Sequence, residues 1–488
     1  MPTGLGLAPP RTRPAGMLAV AAAIVAGVAI GRQHSGIWPS QCVPPADTNL
    51  LVVTLDTTRA DAIGAYGNQE AQTPTLDRLA REGVLFETAS SVAPLTLPAH
   101  ASLFTGRLPA RHGARENAGR LDDAQTTLAE RLRGRGFETA AFVSAVVLSG
   151  RSGIAQGFDT YVDAPGEIGR QSARRLRRLP GDVIADEAVG WLARRGPHPS
   201  RPFFAWVHFY DAHAPYQPPE PFWSQFPDDP YAGSVAFTDA QVGRLLAELE
   251  RQRLLDRTIV VVMGDHGEGL GEHGELTHGL FLYESVLRVP FIVRAPCVGA
   301  GTRVGDVVRS TDVMPTVLDL LAVTPAVPGI DGTSLVPMLR GSPPGVDLEA
   351  YADNVYPRSR FGWSELRSLR SGRFKLIVTA RPELYDLELD PKEQRDLLHE
   401  RPRLAEGLLK RVREIDAEGT PVDVSSHPSP DPTQEEIAAG LAALGYAAHS
   451  QHMMREPGGT RPGVALLPDP KDNVATFNRL TTPRGWQP

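Results

Sequence analysis

The chain has 488 residues, 41% hydrophobic and 22% charged, and 50 Lys and Arg against 57 Asp and Glu leave a net charge of -7. This mixture excludes a wholly disordered or collagen-like chain, and the length allows one large domain or two to three ordinary ones. The mild acidic balance, without a basic stripe, argues against gripping nucleic acid as the main task. The two cysteines, Cys42 and Cys297, exclude a cysteine cluster for zinc or iron–sulfur and leave room for at most one disulfide.

Near the amino terminus AGMLAVAAAIVAGVAI (residues 15–30) runs without a charge between Arg13 and Arg32. It is shorter than the about twenty residues of a usual bilayer crossing, so it reads as a short signal anchor or the apolar core of a cleaved signal peptide. Either reading predicts a cell-envelope protein facing the periplasm or exterior, membrane-attached through this segment in the first case and secreted in the second. Residues 1–48 are thus leader and linker.

The first catalytic-domain element is NLLVVTLD (residues 49–56), a continuous apolar run that predicts a buried strand presenting Asp56 at its carboxyl end. Helical patterns follow at 75–82, at 97–104, where Pro98 in the first turn puts Thr96 at the positive end, and at 126–135. Then come a strand at 139–145, a helix at 182–195, the strand FFAWVHF at 203–209, a helix at 238–253 and the strand TIVVVMG from 258. This alternation predicts an α/β fold whose mostly parallel central sheet is flanked by helices, with Asp56, Asp211 and Asp265 all at carboxyl ends of strands. The catalytic domain spans 49–345. A small α+β subdomain covers 346–420, with two strands around Gly372 and a strand, turn and helix start through ELYDLELDPKEQRDLL. Residues 421–488 read as an irregular tail holding one docking helix, QEEIAAGLAALGYA.

The strongest chemical signal is the set Asp56, Thr96, Asp265 and His266. Two carboxylates and an imidazole suit a divalent ion, zinc, manganese, calcium or magnesium, and leave room for a hydroxyl oxygen. A helix terminus and a bound cation both favour the alkoxide of Thr96, which makes it a candidate nucleophile and further ligand. A second cluster is His208, Asp211 and His213 in VHFYDAHAPY, with His273 and His278 in GEHGELTHG. His213 and His278 are candidates for contacting an oxyanion or protonating a leaving group. Asp211, His213 and His278 are alternatively a candidate second metal site. Arg59 and Asp61 are candidates to support the Asp56 loop, and Glu268 and Glu272 to orient site histidines. The glycine-rich GEGLGEHG lacks the rest of a P-loop or a Rossmann fingerprint, so neither ATP nor NAD is expected.

In LDTTRADAIGAYG, TPTLDRLAREGVLF, TLPAHASLFTGRLPARHG, VHFYDAHAPY, GDHGEGLGEHGELTHGLFLYE and LRVPFIV the chain resembles the sulfatase-like branch of the alkaline phosphatase superfamily. The likeness extends over about residues 49–400 and implies that fold, with Asp56, Asp265 and His266 as metal ligands and Thr96 as nucleophile and ligand. It also implies oxyanion contacts from His213 and His278 and a substrate-facing role for Asn117. One departure matters. Familiar sulfatases carry Cys or Ser in a C/S-x-P-x-R motif, which is oxidised to formylglycine; here the motif reads Thr96-Leu97-Pro98-Ala99-His100. Oxidation of a threonine side chain gives a ketone, never the aldehyde, and His100 replaces a permanent guanidinium with an imidazole.

The sequence therefore predicts a metal-dependent hydrolase of phosphate, phosphodiester or phosphonate esters with a covalent phosphothreonine. One alternative is a sulfatase that works without formylglycine, and another is an inactive membrane-attached binding protein. The expected substrate is an anionic ester of a small molecule, glycan or lipid headgroup.

Overall fold

The computed structural model describes residues 44–163, 179–343, 345, 347–419 and 467–482. The apolar stretch at 15–30 and the expected docking helix near residue 440 lie outside these. Among the described residues no helix is long and apolar enough to cross a membrane.

The main sheet has nine strands: β1 (Asn49–Leu55), β2 (Val84–Ser90), β3 (Glu138–Val143), β4 (Thr160–Asp163), β5 (Phe203–Phe209), β6 (Thr258–Gly264), β7 (Arg288–Val289), β8 (Phe291–Arg294) and β9 (Thr302–Arg309). Their order is β4-β3-β5-β1-β6-β8-β2-β7, with β9 also on β2. β4, β3, β5, β1 and β6 run parallel, as do β2 and β9, while β8 pairs antiparallel with β6 and β2.

Along β1 the side chains alternate between two cores. Leu50 and Val52 enter one, and Leu51, Val53 and Leu55 the other. Burial on both faces is why this strand reads as a continuous apolar run instead of an alternating one. Helices α1 (Pro74–Glu82), α2 (Thr96–Thr105), α3 (Leu128–Arg133), α4 (Gly181–Ala193), α5 (Pro230–Arg251) and α6 (Val313–Leu320) cover the sheet. Leu97, Ala101 and Phe104 of α2 and Val313 and Val317 of α6 share the core of Val52. Leu79 of α1, Ile184 of α4 and Val242 of α5 lie in the other.

Helix α5 starts eight residues before its sequence expectation. Asp229 caps it by accepting from the Ala232 amide at 2.9 Å, and Pro230 occupies the first turn, so a cap-and-proline start precedes the recognisable apolar stripe.

The second sheet is antiparallel, in the order β10 (Glu349–Asn354), β11 (Leu366–Ser371), β12 (Phe374–Val378) and β13 (Glu383–Asp386), with α7 (Pro402–Ala417) packed on it. The turn between β11 and β12 sits at Gly372, whose φ of +56° favours glycine. The helix start expected within 383–398 does not form there; the helix begins at Pro402. Asp390 and Asp396 spend their carboxylates on the amides of Gln394, Arg395 and Leu398, which holds 390–398 in turns. The tail also departs from its irregular reading: 467–482 folds into a short 3-10 turn and helix α8 (Val474–Thr481), whose Phe477 is buried. Cys297 is disulfide-bonded, and the only other cysteine of the sequence is Cys42, outside the described residues.

Candidate active site

Sheet register builds the site. Leu55 pairs with both Phe209 and Gly264, so the residues following β1 and β6, Asp56 and Asp265, emerge side by side at the carboxyl edge. One ligand atom each from Asp56, Asp265 and His266 lies within 4.8 Å of the others. Between them Thr57 takes a left-handed φ of +50°, a strained conformation for a β-branched residue. That turn sends its amide to Asp265 Oδ1 at 3.2 Å and so ties the two strand ends together.

The donor set fits a cation. Among the described residues both carboxylate oxygens of Asp56 and Oδ2 of Asp265 are buried with no hydrogen bond of ordinary geometry, an arrangement that costs several kcal/mol, of the order of 1–3 per group, unless something positive satisfies it. Burial pushes the Asp56 carboxyl up to about 7, although His266 and the Thr96 hydroxyl pull it down. Burial and the neighbouring Asp56 likewise raise Asp265. His266 Nδ1 lies 3.0 Å from the Gly267 carbonyl, which can only accept. Nδ1 therefore carries the proton, and Nε2 offers a lone pair toward Thr96 Oγ1, 3.3 Å away.

Thr96 opens α2, and its hydroxyl is at the helix's positive end. Beside it, Asn117 Oδ1 accepts from the Leu97 amide at 2.9 Å, which leaves the buried Asn117 Nδ2 without a partner among the described residues. A donor of that kind next to the Thr96 hydroxyl is chemically suited to an oxyanion.

A polar network behind Thr96 was not legible in the sequence. His100 Nδ1 donates to the Thr96 carbonyl at 2.8 Å, so its Nε2 must accept, and it takes the Thr54 hydroxyl proton at 2.9 Å. Thr54 Oγ1 in turn accepts from Trp206 Nε1 at 2.9 Å and from His208 Nδ1 at 3.0 Å. The bare Nε2 of His208 is then left 3.2 Å from Asp56 Oδ2, lone pair against carboxylate. A proton or a cation at Asp56 relieves that repulsion. Burial holds both rings neutral, His100 at about 3 and His208 at about 4. His100 thus replaces the guanidinium with an uncharged ring whose two nitrogens are occupied by protein groups. It supports Thr96 from behind. Thr54 gave no sequence signal beyond being a polar residue in an apolar strand.

His213 and His278 meet at the site. Their ring centroids are 4.9 Å apart, and that of His278 is 4.4 Å from His266. His213 stacks on Tyr210, and its Nδ1 donates to the Ala214 carbonyl at 2.7 Å. His278 Nδ1 lies 2.9 Å from Glu268 Oε1. Burial lowers His278 well below the usual imidazole range and raises Glu268 well above the usual carboxyl range, so the pair can share one acidic proton.

The other candidates separate. The three-ligand set Asp211, His213 and His278 does not assemble: among the described residues the one cluster able to hold a metal is Asp56, Asp265 and His266. Asp211 instead accepts from the Gly181 amide at 3.1 Å and caps α4. Gly181 permits this, since a Cβ there would meet Asp211 Oδ2 at 2.4 Å. Arg59 pairs with Asp61 and Glu272, each at 2.7 Å, and donates to the Glu268 carbonyl at 3.1 Å. Glu272 therefore supports a loop and orients no histidine. His273 stacks on Tyr283 and bonds the Lys392 carbonyl.

Residues 48–323 match the Sulfatase family model. The chain belongs to the sulfatase family. Residues 271–418 also match the model for the carboxyl-terminal region of N-sulphoglucosamine sulphohydrolase. Among sulfatase-family relatives, steryl-sulfatase of Mus musculus is 28% identical, covering 68% of this chain and 70% of the relative. Choline-sulfatase of Rhizobium meliloti is 26% identical over 73% of this chain and 83% of its own length. Among solved structures, the phosphonate monoester hydrolase of Agrobacterium radiobacter shares the fold with a TM-score of 0.66, at 23% identity over 76% of this chain and 96% of that one. The chain is accordingly an ester hydrolase of the sulfatase family, and sulfatase-family enzymes use a divalent metal ion.

Proposed function

We propose that this chain hydrolyses phosphonate, phosphodiester or phosphate esters through attack by Thr96. The observation that carries this reading is the Thr96 hydroxyl, genetically encoded and 3.3 Å from His266 Nε2 at the edge of the Asp56, Asp265 and His266 cluster. Those three residues and the threonine oxygen would hold a divalent ion, for which the imidazole favours a borderline metal such as zinc or manganese. Such an ion supplies positive charge that lowers a hydroxyl pKa and neutralises a bound oxyanion.

The chain's own groups account for the rest. Asn117 Nδ2 and His213 orient the tetrahedral anion. Thr96 Oγ, its proton passed to solvent, forms a bond to phosphorus as the ester oxygen departs; His278 donates the proton that oxygen requires and is reprotonated from solvent, Glu268 keeping the compensating charge in the interval. Water then cleaves the phosphothreonine and returns a proton to Thr96.

The sulfate-ester reading has its own support in the family match and in relatives named for sulfatase activity. The geometry serves it through the same threonine, because a tetrahedral sulfate ester places its oxygens similarly. Export, and membrane attachment through residues 15–30, belong to the same proposal; the disulfide at Cys297 supports an oxidising compartment.

The test is Thr96→Ala, assayed in parallel on aryl phosphonates, phosphodiesters, phosphates and sulfates. Turnover is expected to fall at least about a thousandfold with the melting temperature little changed. Undiminished turnover refutes the nucleophile. Sulfate turnover far above every phosphorus substrate decides for the second reading.

A further inference from the structure

We propose that residues 467–482 are a positioning element of the active site, with Asn478 and Phe477 holding the loop that presents His278. The inference rests on the functional reading of His278 given above and adds a region beyond both family matches, which end at residues 323 and 418.

Helix α8 has eight residues, too few to persist unless tertiary contacts hold it. At one end it is rooted in the second sheet. Asp469 accepts from Thr379 Oγ1 and from the Arg381 amide, both at 2.9 Å, and Lys471 pairs with Glu383 at 3.0 Å. At the other end the Asn478 side chain donates to the Gly274 carbonyl at 2.7 Å and accepts from the Leu276 amide at 3.2 Å. One carboxamide thus satisfies backbone groups on both sides of Glu275, as a neighbouring strand would.

Glu275 continues the connection. Its carboxyl oxygens take the amides of Leu280 at 2.7 Å and Phe281 at 3.3 Å, so fixed backbone brackets His278 before and after. Phe477, 1% exposed, lies in the same core as Leu280, Phe281 and Leu95, the residue preceding Thr96. Gly279 at φ +98° allows this close approach: a Cβ there would sit 3.3 Å from Leu95 and 4.0 Å from Phe477. The element therefore touches the loop of the proton donor and the entry to the nucleophile's helix together.

The experiment uses the full chain carrying Asn478→Ala, which removes both bonds at the surface end and spares the Phe477 core. Hydrogen exchange should accelerate at the Leu276, Leu280 and Phe281 amides. With a poor leaving group, kcat should fall about tenfold or more, as for loss of an outer support, with KM changed by less than about threefold. With a good leaving group the loss should be smaller, since such an alcohol needs little protonation. An equal loss for both leaving groups, an unchanged kcat, or unaltered exchange at the three amides overturns the proposal. Failure of the underlying functional reading shows elsewhere, as full turnover in Thr96→Ala, and the exchange measurement still decides whether the element holds the loop.

Discussion

Thr54→Val is the sharpest perturbation of the site that leaves every reacting group in place. Valine is close in shape, but it removes the hydroxyl on which Trp206 Nε1, His208 Nδ1 and His100 Nε2 converge at 2.9, 3.0 and 2.9 Å. Two buried donors then lose their acceptor and one buried acceptor loses its donor. At about 1–3 kcal/mol for each unsatisfied buried group, the low end of the sum is about 3 kcal/mol, a large part of a typical total stability of 5–15 kcal/mol. Function should suffer too, because His208 is no longer oriented beside Asp56 and His100 no longer braces Thr96; a 10–100-fold loss of metal affinity or activity is expected. Urea unfolding gives the first quantity, and metal titration of the chelator-treated protein gives the second. Thr54→Ser keeps the hydroxyl and should stay within about 1 kcal/mol of the parent. A Thr54→Val protein that loses less than about 1 kcal/mol and binds metal as before refutes the network as drawn.

Burial raises the Glu275 carboxyl to about 8 in the folded chain, from 4.5. The folded state thus keeps a proton that the unfolded chain releases, so this group's stabilisation is complete below about pH 4.5 and fades as pH climbs through about 8. Glu275→Gln should remove that decline, seen as a flatter plot of unfolding free energy against pH; a slope equal to the parent's contradicts it. Chelation should abolish turnover and lower the melting temperature, and re-addition of one divalent metal should restore both, with elemental analysis identifying the ion. Turnover that survives exhaustive chelation contradicts metal dependence. Asn117→Ala should lower kcat about a hundredfold if its amide meets charge that develops in the transition state, and a change in KM alone would contradict that role.

The sequence carried the fold wherever burial was two-sided. β1, β5 and β6 appear as unbroken apolar runs because both faces meet helices, and acids directly after two of them marked the site's edge. The grouping of Asp56, Asp265, His266 and Thr96 and the meeting of His213 with His278 follow from that pattern and from the resemblance. What stayed hidden depends on partners distant in sequence. Thr54 matters through three neighbours that register and helix packing bring to it. Asp211 looked like a ligand because composition does not record which way a carboxylate turns, and here it turns to the start of α4. Helix α8 was missed because its small apolar face is completed by Leu95, Leu280 and Phe281, far upstream in the chain.

The register that sets Asp56 beside Asp265 also fixes when the centre can exist. Roughly 210 residues separate the two acids, about 10–40 s of synthesis at 5–20 residues per second. A nascent chain emerging from the ribosome carries its first ligand long before the others, and no ion can be captured in the finished geometry until β6 has docked on β1. Any metal this site holds is therefore bound in that geometry only after the chain through His266 has been made and its two strands paired.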